Sequence, residues 1–239
     1  MNYSSPLDHK TNDKYDDSPR EDIIQLIQSK PSKVLEIGCA AGATGAKIKQ
    51  LFPECFYAGI EIDQSFSRTA ATRIDLSVCA NIENNTLSEI GFNKREFDLI
   101  ICADVLEHLY NPWKLLHQLS HLLTENGVLL ASIPNSQHFS ILQELSSGRF
   151  RYQPHGLLDA THIRFFTFLE IVDLFRNTGW SLVSCARKLT HRIDQFEFPC
   201  DLNFGRITIR NVTREEAANF HTFQFLLVAK THIQNSTAH

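Results

Sequence analysis

Short apolar runs alternate with longer mixed stretches through the first half of the chain. VLEI (34–37), FYAGIEI (56–62), SVCANI (77–82), FDLIICA (97–103) and VLLASI (128–133) are the runs. Runs this short and this continuous predict strands buried on both faces. The stretches between them are long enough for crossover helices, predicted over 47–51, 66–73 and 113–123. An opening helix is predicted before the first strand. Ser18 is its N-cap, Pro19 its first helical residue and Glu21 lies close behind, with Ile23, Ile24, Leu26 and Ile27 on its apolar side. Asn126-Gly127 is expected to end the helix before the fifth strand in a left-handed turn. Strand and helix alternating in this way predict an α/β fold: a doubly wound, mostly parallel sheet covered on both faces.

The second half is less regular. Residues 136–166 predict a helix and a loop over the sheet's C-terminal edge, the expected cover of an acceptor site. A helix over 167–177 ends at Gly179, a strand follows over 181–187, and FQFLLVAK (223–230) is a last strand. No crossover helix is expected between those two strands, so the last is expected to be antiparallel. Residues 189–221 are expected to be an irregular insertion. Residues 1–18 are polar and expected to form a flexible arm, and 233–239 a frayed tail. The domain proper is thus expected over 19–232.

The glycine-rich turn VLEIGCAAGATG gives this framework its first chemistry. Glu36, Gly38, Ala40, Gly42 and Gly45 lie between a strand and a helix. Glycines there permit a tight turn and close ligand approach, and the helix N-terminus offers N–H groups to a carboxylate. NAD, FAD and S-adenosylmethionine (SAM) sites all use such a turn. The spacing here is G-x-x-x-G, and Ala40 stands where a dinucleotide site needs glycine beside the pyrophosphate. SAM carries no phosphate, and Glu36 suits a cationic ligand group. Glu61 ends the second strand, where a carboxylate can accept from both ribose hydroxyls, with Asp63 as its competitor.

Composition narrows the classes. Hydrophobic residues are 43%, charged residues 21% and the formal net charge is −4, an ordinary globular balance with no basic excess for nucleic acid. The six cysteines include no C-x-x-C pair, which argues against structural zinc. The N-terminus has no apolar leader and no run is long enough for a membrane span, so a cytoplasmic protein is expected.

Taken together, the motifs resemble those of class I SAM-dependent methyltransferases. VLEIGCAAG looks like the family's first motif and YAGIEID its second. SVCANIE is similar to the third, FDLIICADVLEHL to the fourth and LLTENGVLLASIPN to the fifth-strand motif. The resemblance is close over 15–135 and looser beyond, with L-E-H and H-x-R-F-F-T signatures of a subgroup that often modifies sugars, lipid-linked intermediates or small metabolites. It implies a Rossmann-like, seven-stranded sheet with its last strand antiparallel, and SAM as cofactor. It also implies that the carbonyls of Gly38 and Ala103 meet the methionine ammonium and that Glu61 holds the ribose. Asn81 and Ile82 would flank adenine, with Cys39, Ala40, Gly42 and Ile62 beside the cofactor and Tyr15 folded over its methionine end. Asn81 departs from the usual aspartate and Ala40 from the usual glycine.

ADVLEHL places Asp104, Glu107 and His108 on one face if a helix begins there. Three readings stand: Asp104 and Glu107 as a capping box, His108 as general base, or all three as ligands of Mg²⁺, resembling the E-x-x-E-H of quinone O-methyltransferases. Histidine is a rare ligand for Mg²⁺. His162 is the second candidate catalytic base, and Arg164 either an acceptor contact or half of a structural ion pair. Phe150, Tyr152, Phe165, Phe166 and Phe168 are expected mostly in the core. The expected acceptor is a small molecule or glycan precursor, neither nucleic acid nor membrane, and a homodimer is compatible with the chain. An NAD-dependent reductase and a non-catalytic partner subunit are the rival readings.

Overall fold

The computed structural model describes Leu7 and residues 17–232. Its elements run α1 (Glu21–Ile24), β1 (Lys33–Ile37), α2 (Ala43–Leu51), β2 (Phe56–Glu61), α3 (Gln64–Ala70), β3 (Leu76–Cys79) and β4 (Phe97–Ala103). A 3-10 turn (Leu106–His108), α4 (Pro112–Ser120), β5 (Leu123–Pro134), α5 (Phe139–Ser146) and α6 (Phe168–Asn177) follow. The chain closes with β6 (Trp180–Leu189), β7 (Cys200–Phe204), β8 (Ile207–Val212), α7 (Arg214–His221) and β9 (Thr222–Thr231).

Seven strands form the main sheet in the order β3-β2-β1-β4-β5-β9-β6. The pairs among β1 to β5 are parallel, and β9 runs antiparallel to both β5 and β6. This is the doubly wound sheet with an antiparallel last strand that the sequence predicts. The apolar runs are continuous because both faces are covered. Leu35, Ile100 and Leu129 point into one core, and Val34, Leu99 and Leu130 into the other. Trp180 is buried at 1% exposure and its indole N–H donates to the Leu116 carbonyl, tying β6 to α4.

Close packing also fixes the glycine turn. A Cβ on Gly59 of β2 would come 2.5 Å from Cys39 Sγ and 2.9 Å from Ile74 Cδ1. Gly59→Ala is therefore expected to cost about 1–3 kcal/mol by overpacking and to displace Cys39 within the turn. A thermal melt several degrees lower would agree; an unchanged melt would show that the turn yields freely.

Four expectations need correction. The opening helix is a single turn, and Ser18 does not cap it. The N-cap is Arg20, whose side chain makes no cap and reaches instead to Asp104 and Ser132. Asn126-Gly127 lies inside β5, and α4 ends earlier at Ser120. Gly127 is needed for close approach, because a Cβ there would sit 3.1 Å from the Phe97 carbonyl oxygen, where β4 and β5 shift register. The third strand stops at Cys79, leaving Asn81 and Ile82 in the following loop. The insertion is ordered: β7 and β8 form a hairpin that packs with α7 around Leu202, Phe204, Val212 and Phe220.

Candidate active site

Strand register brings the residues expected to hold the cofactor to one edge of the sheet. Ile37 pairs with Ile60 of β2 and Cys102 of β4, so the chain leaves β1 at Gly38 between the ends of its two neighbours, Glu61 and Ala103. Glu61 in turn pairs with Cys79, which puts Asn81 and Ile82 just beyond the same edge. This is the carboxyl edge, where doubly wound sheets bind ligands.

The turn itself is tightly held. Gly38 has φ +69° and its amide donates to the Ile60 carbonyl at 2.8 Å. A Cβ at Gly38 would lie 2.8 Å from Val105 Cγ2. Ala40 also lies in the left-handed region, with φ +47°, and its amide donates to Glu61 Oε2 at 2.8 Å. Glu61 Oε1 accepts from the Asp63 amide at 2.9 Å. A carboxylate has about four acceptor positions, so capacity remains for ribose hydroxyls. Asp63, the expected competitor for the ribose, is the N-cap of α3 and accepts from the Ser65 and Phe66 amides through Oδ1.

Glu36 is 3% exposed and accepts from the Tyr57 hydroxyl at 2.8 Å. Burial pushes its carboxyl up to about 7, against the lowering effects of that bond and of Arg20. Asn81 uses its side-chain oxygen on the Glu83 amide at 2.9 Å, leaving one acceptor position for adenine. Ile82 packs against the main core, while Ile62 is 65% exposed. Tyr15 lies outside the described residues.

The acid and histidine cluster differs from its expected form. Asp104 lies in the left-handed region, with φ +56°. Its carboxylate accepts from Arg20 Nη1 at 2.6 Å, from Ser132 Oγ at 2.7 Å and from Gln224 Nε2. It is not a helix cap, because the cap of the 3-10 turn is Val105 and no side chain bonds there. Asp104 is not among the side chains whose ligand atoms converge, so the expected Mg²⁺ set of Asp104, Glu107 and His108 is not assembled. One ligand atom from each of Glu107, His108 and His162 instead lies within 4.8 Å of the others. One carboxylate and two imidazoles suit a zinc-class ion better than the oxygen-seeking Mg²⁺.

Glu107 is 1% exposed, and burial with Asp104 nearby holds its carboxyl well above the usual carboxylate range. Its Oε2 is buried with no hydrogen bond, and its Oε1 lies 4.0 Å from His162 Nε2. The Ile163 and Arg164 amides donate to the Glu107 carbonyl at 3.0 Å, locking the two segments together. His108 Nδ1 lies 3.1 Å from the Thr161 carbonyl oxygen, and the His108 and His162 rings meet edge to face at 4.8 Å. Thr161 is set by buried Asp159, which accepts from both its amide and its hydroxyl at 2.8 Å.

Arg164 serves the framework. Its guanidinium donates to the Tyr110 carbonyl and lies over Trp113. Phe166 is buried and Phe168 packs on the main core, as expected. Phe150, Tyr152 and Phe165 are exposed instead, with Phe150 meeting the other two edge to face. Arg20 and Ser132 are site residues that the sequence pattern does not reveal. Arg20 also donates its amide to Thr44 Oγ1 in the first turn of α2 and is braced by Asp22.

The sequence profile described as a methyltransferase domain matches residues 9–185. A ubiquinone biosynthesis O-methyltransferase of Neisseria meningitidis is 22% identical over 174 residues, covering 71% of this chain and 72% of its own length. A trans-aconitate 2-methyltransferase of Deinococcus radiodurans is 28% identical over 154 residues, covering 64% of this chain and 52% of its own. Among solved structures, a SAM-dependent methyltransferase of Aquifex aeolicus shares the fold at TM-score 0.56 and 12% identity, over 95% of this chain and 98% of that one. The glycine turn with its acidic strand end and the profile match over most of the chain lead to one assignment: this chain belongs to the methyltransferase-domain family and is a SAM-dependent methyltransferase.

Proposed function

We propose that the methyl group passes to an oxygen of a small acceptor held beside Glu107 and His162. The observation that carries this reading is the setting of His162. It is buried, and its Nδ1 lies 3.3 Å from the Leu157 carbonyl oxygen. A carbonyl only accepts, so Nδ1 holds the proton and Nε2, turned toward Glu107, is the basic atom. The acceptor oxygen would attack the methyl carbon opposite sulfur. The new C–O bond forms as the C–S bond breaks, and the hydroxyl proton goes to His162 Nε2. The sulfonium makes the methyl reactive by itself, so holding the reactants close and in line is the protein's larger task. Two relatives, an O-methyltransferase of ubiquinone biosynthesis and a trans-aconitate 2-methyltransferase, agree with an oxygen on a small molecule.

SAM would sit with its ribose on Glu61, its adenine beside Ile82 and its ammonium near the carbonyls of Gly38 and Ala103. Arg20 would take the SAM carboxylate, exchanging it for Asp104. Hydrogen bonds to charged groups contribute about 1.5–3 kcal/mol, so Arg20→Met should raise the SAM dissociation constant about tenfold or more in calorimetry. Unchanged affinity would remove Arg20 from the cofactor site.

The test of the reaction is transfer of isotopically labelled methyl from SAM to a panel of phenols, sugars, carboxylic acids and amines. An O-methylated product supports the proposal; methylation of amines alone overturns it. Metal analysis of the same purified protein bears on the three side chains, since a tightly held zinc-class ion would replace the free-base role of His162.

A further inference from the structure

The insertion is clasped to the catalytic domain by three histidines in an aromatic setting. His138 is the N-cap of α5, 3% exposed, with Nδ1 2.8 Å from Ser140 Oγ and Nε2 2.8 Å from Thr190 Oγ1. His221 ends α7, is 7% exposed, and neither of its ring nitrogens has a hydrogen-bond partner. Phe139 stands among them, 4.4 Å from His138, 5.3 Å from His221 and 5.5 Å from His191. Phe196 stacks on His221 and Phe204 meets it edge-on. A neutral imidazole tolerates this packing. A charged imidazole at His221, buried without a hydrogen-bond partner among the described residues, does not.

We propose that residues 190–221 form an acid-sensitive clasp, closed on α5 while His138 and His221 are uncharged and released when they take up protons.

Among the described residues no carboxylate pairs with either ring. In the 190–199 segment, Arg192 and Asp194 pair with each other, and Asp194 also pairs with Arg214 of α7. Glu197 lies in the same segment. On α7, Glu215 faces Arg187 of β6, and Glu216 closes a capping box with Thr213. Lys188 of β6 is held by Asp22. Asp201 of β7 accepts from the Asn211 amide, Arg206 and Arg210 belong to the hairpin, and Glu144 of α5 is paired with Arg151. The charges that act on His138 and His221 are those of neighbouring imidazoles, which repel a proton. Burial first, and then those imidazoles, lower His138 to about 4 and lower His221 as well.

The sign follows from linkage. A histidine that is neutral when closed and ordinary when open favours the closed state above about pH 6.5. That preference is lost as pH falls toward the closed-state value. For a group at about 4, the open population at pH 5 rises on the order of thirtyfold over that at neutral pH.

The clasp reaches the acceptor side through α5. Phe139 and Leu142 pack against the insertion's core, while Ile141 of the same helix packs against Leu157 and Leu158, and the Leu157 carbonyl faces His162. Release of the clasp should therefore loosen 157–162 as well.

The test is hydrogen exchange with mass-spectrometric readout on the full chain at pH 7.5 and pH 5, corrected for the intrinsic pH dependence of exchange. The expected result is a rise of tenfold or more in 190–221 and 157–162 at pH 5, with β1 and β4 unchanged. His221→Phe fills the same apolar space without a titrating group and forfeits no hydrogen bond. It should keep the neutral-pH protection and shrink the acid response to a third or less. Acid-independent protection of 190–221 in the unmodified protein would overturn the proposal, whether or not the variant folds. A variant that folds and opens as the unmodified protein does would overturn it equally.

Discussion

Glu61→Ala should weaken SAM binding at least about a hundredfold while leaving the protein folded. The carboxylate has two duties. It would accept from the ribose, where each charge-assisted bond contributes about 1.5–3 kcal/mol. It also holds the turn, because its two oxygens accept from the Ala40 and Asp63 amides. Ala40 is in a left-handed conformation at φ +47°, which costs a non-glycine residue about 1–2 kcal/mol. Its bond to Glu61 offsets part of that cost, and without it the turn can relax away from the cofactor-binding shape. Glu61→Gln separates the duties: the amide keeps one acceptor and should lose less than the alanine. Calorimetric titration checks both variants, with a thermal melt to show that they fold. Alanine affinity within threefold of the unmodified protein would place the ribose elsewhere.

His162→Gln should lower kcat about 10²- to 10⁴-fold, the usual contribution of a positioned base, with SAM affinity little changed. Glutamine keeps a polar group near the Leu157 carbonyl but cannot take up the acceptor's proton. His108→Gln should cost less. His108 is held by the Thr161 backbone and meets His162 edge to face, so in the proposed reaction it would position the base. An acceptor already ionised at assay pH separates chemistry from structure, because it needs no base and should largely escape the His162 defect. An equal loss on ionised and neutral acceptors would make His162 a structural residue.

The parts of this molecule legible in its sequence are those whose physics is local. The strand at Phe97–Ala103 is read to the residue, because both its faces are buried and the apolar run is broken only by Asp98 near its start. The glycine turn is read because strand, turn and helix follow one another along the chain. Asn126-Gly127 misleads because glycine serves two purposes: the expected one is a left-handed cap, and the one used is close approach to the Phe97 carbonyl from another strand. The hairpin of β7 and β8 escapes notice because its strands bury only one or two residues each against a small private core. At the site, Arg20 meets Asp104 across 84 positions and His108 meets Thr161 across 53. No spacing rule spans such distances. The i, i+3, i+4 pattern of Asp104, Glu107 and His108 presumes a helix, and the left-handed Asp104 breaks it.

The most direct test of the cofactor geometry is a crystal structure of the protein with the demethylated cofactor. The ribose hydroxyls should lie within hydrogen-bond distance of Glu61, and the carboxylate at Arg20. The sulfur should face the space beside Glu107 and His162. A cofactor whose ribose avoids Glu61, or whose sulfur points away from those two side chains, would contradict the account.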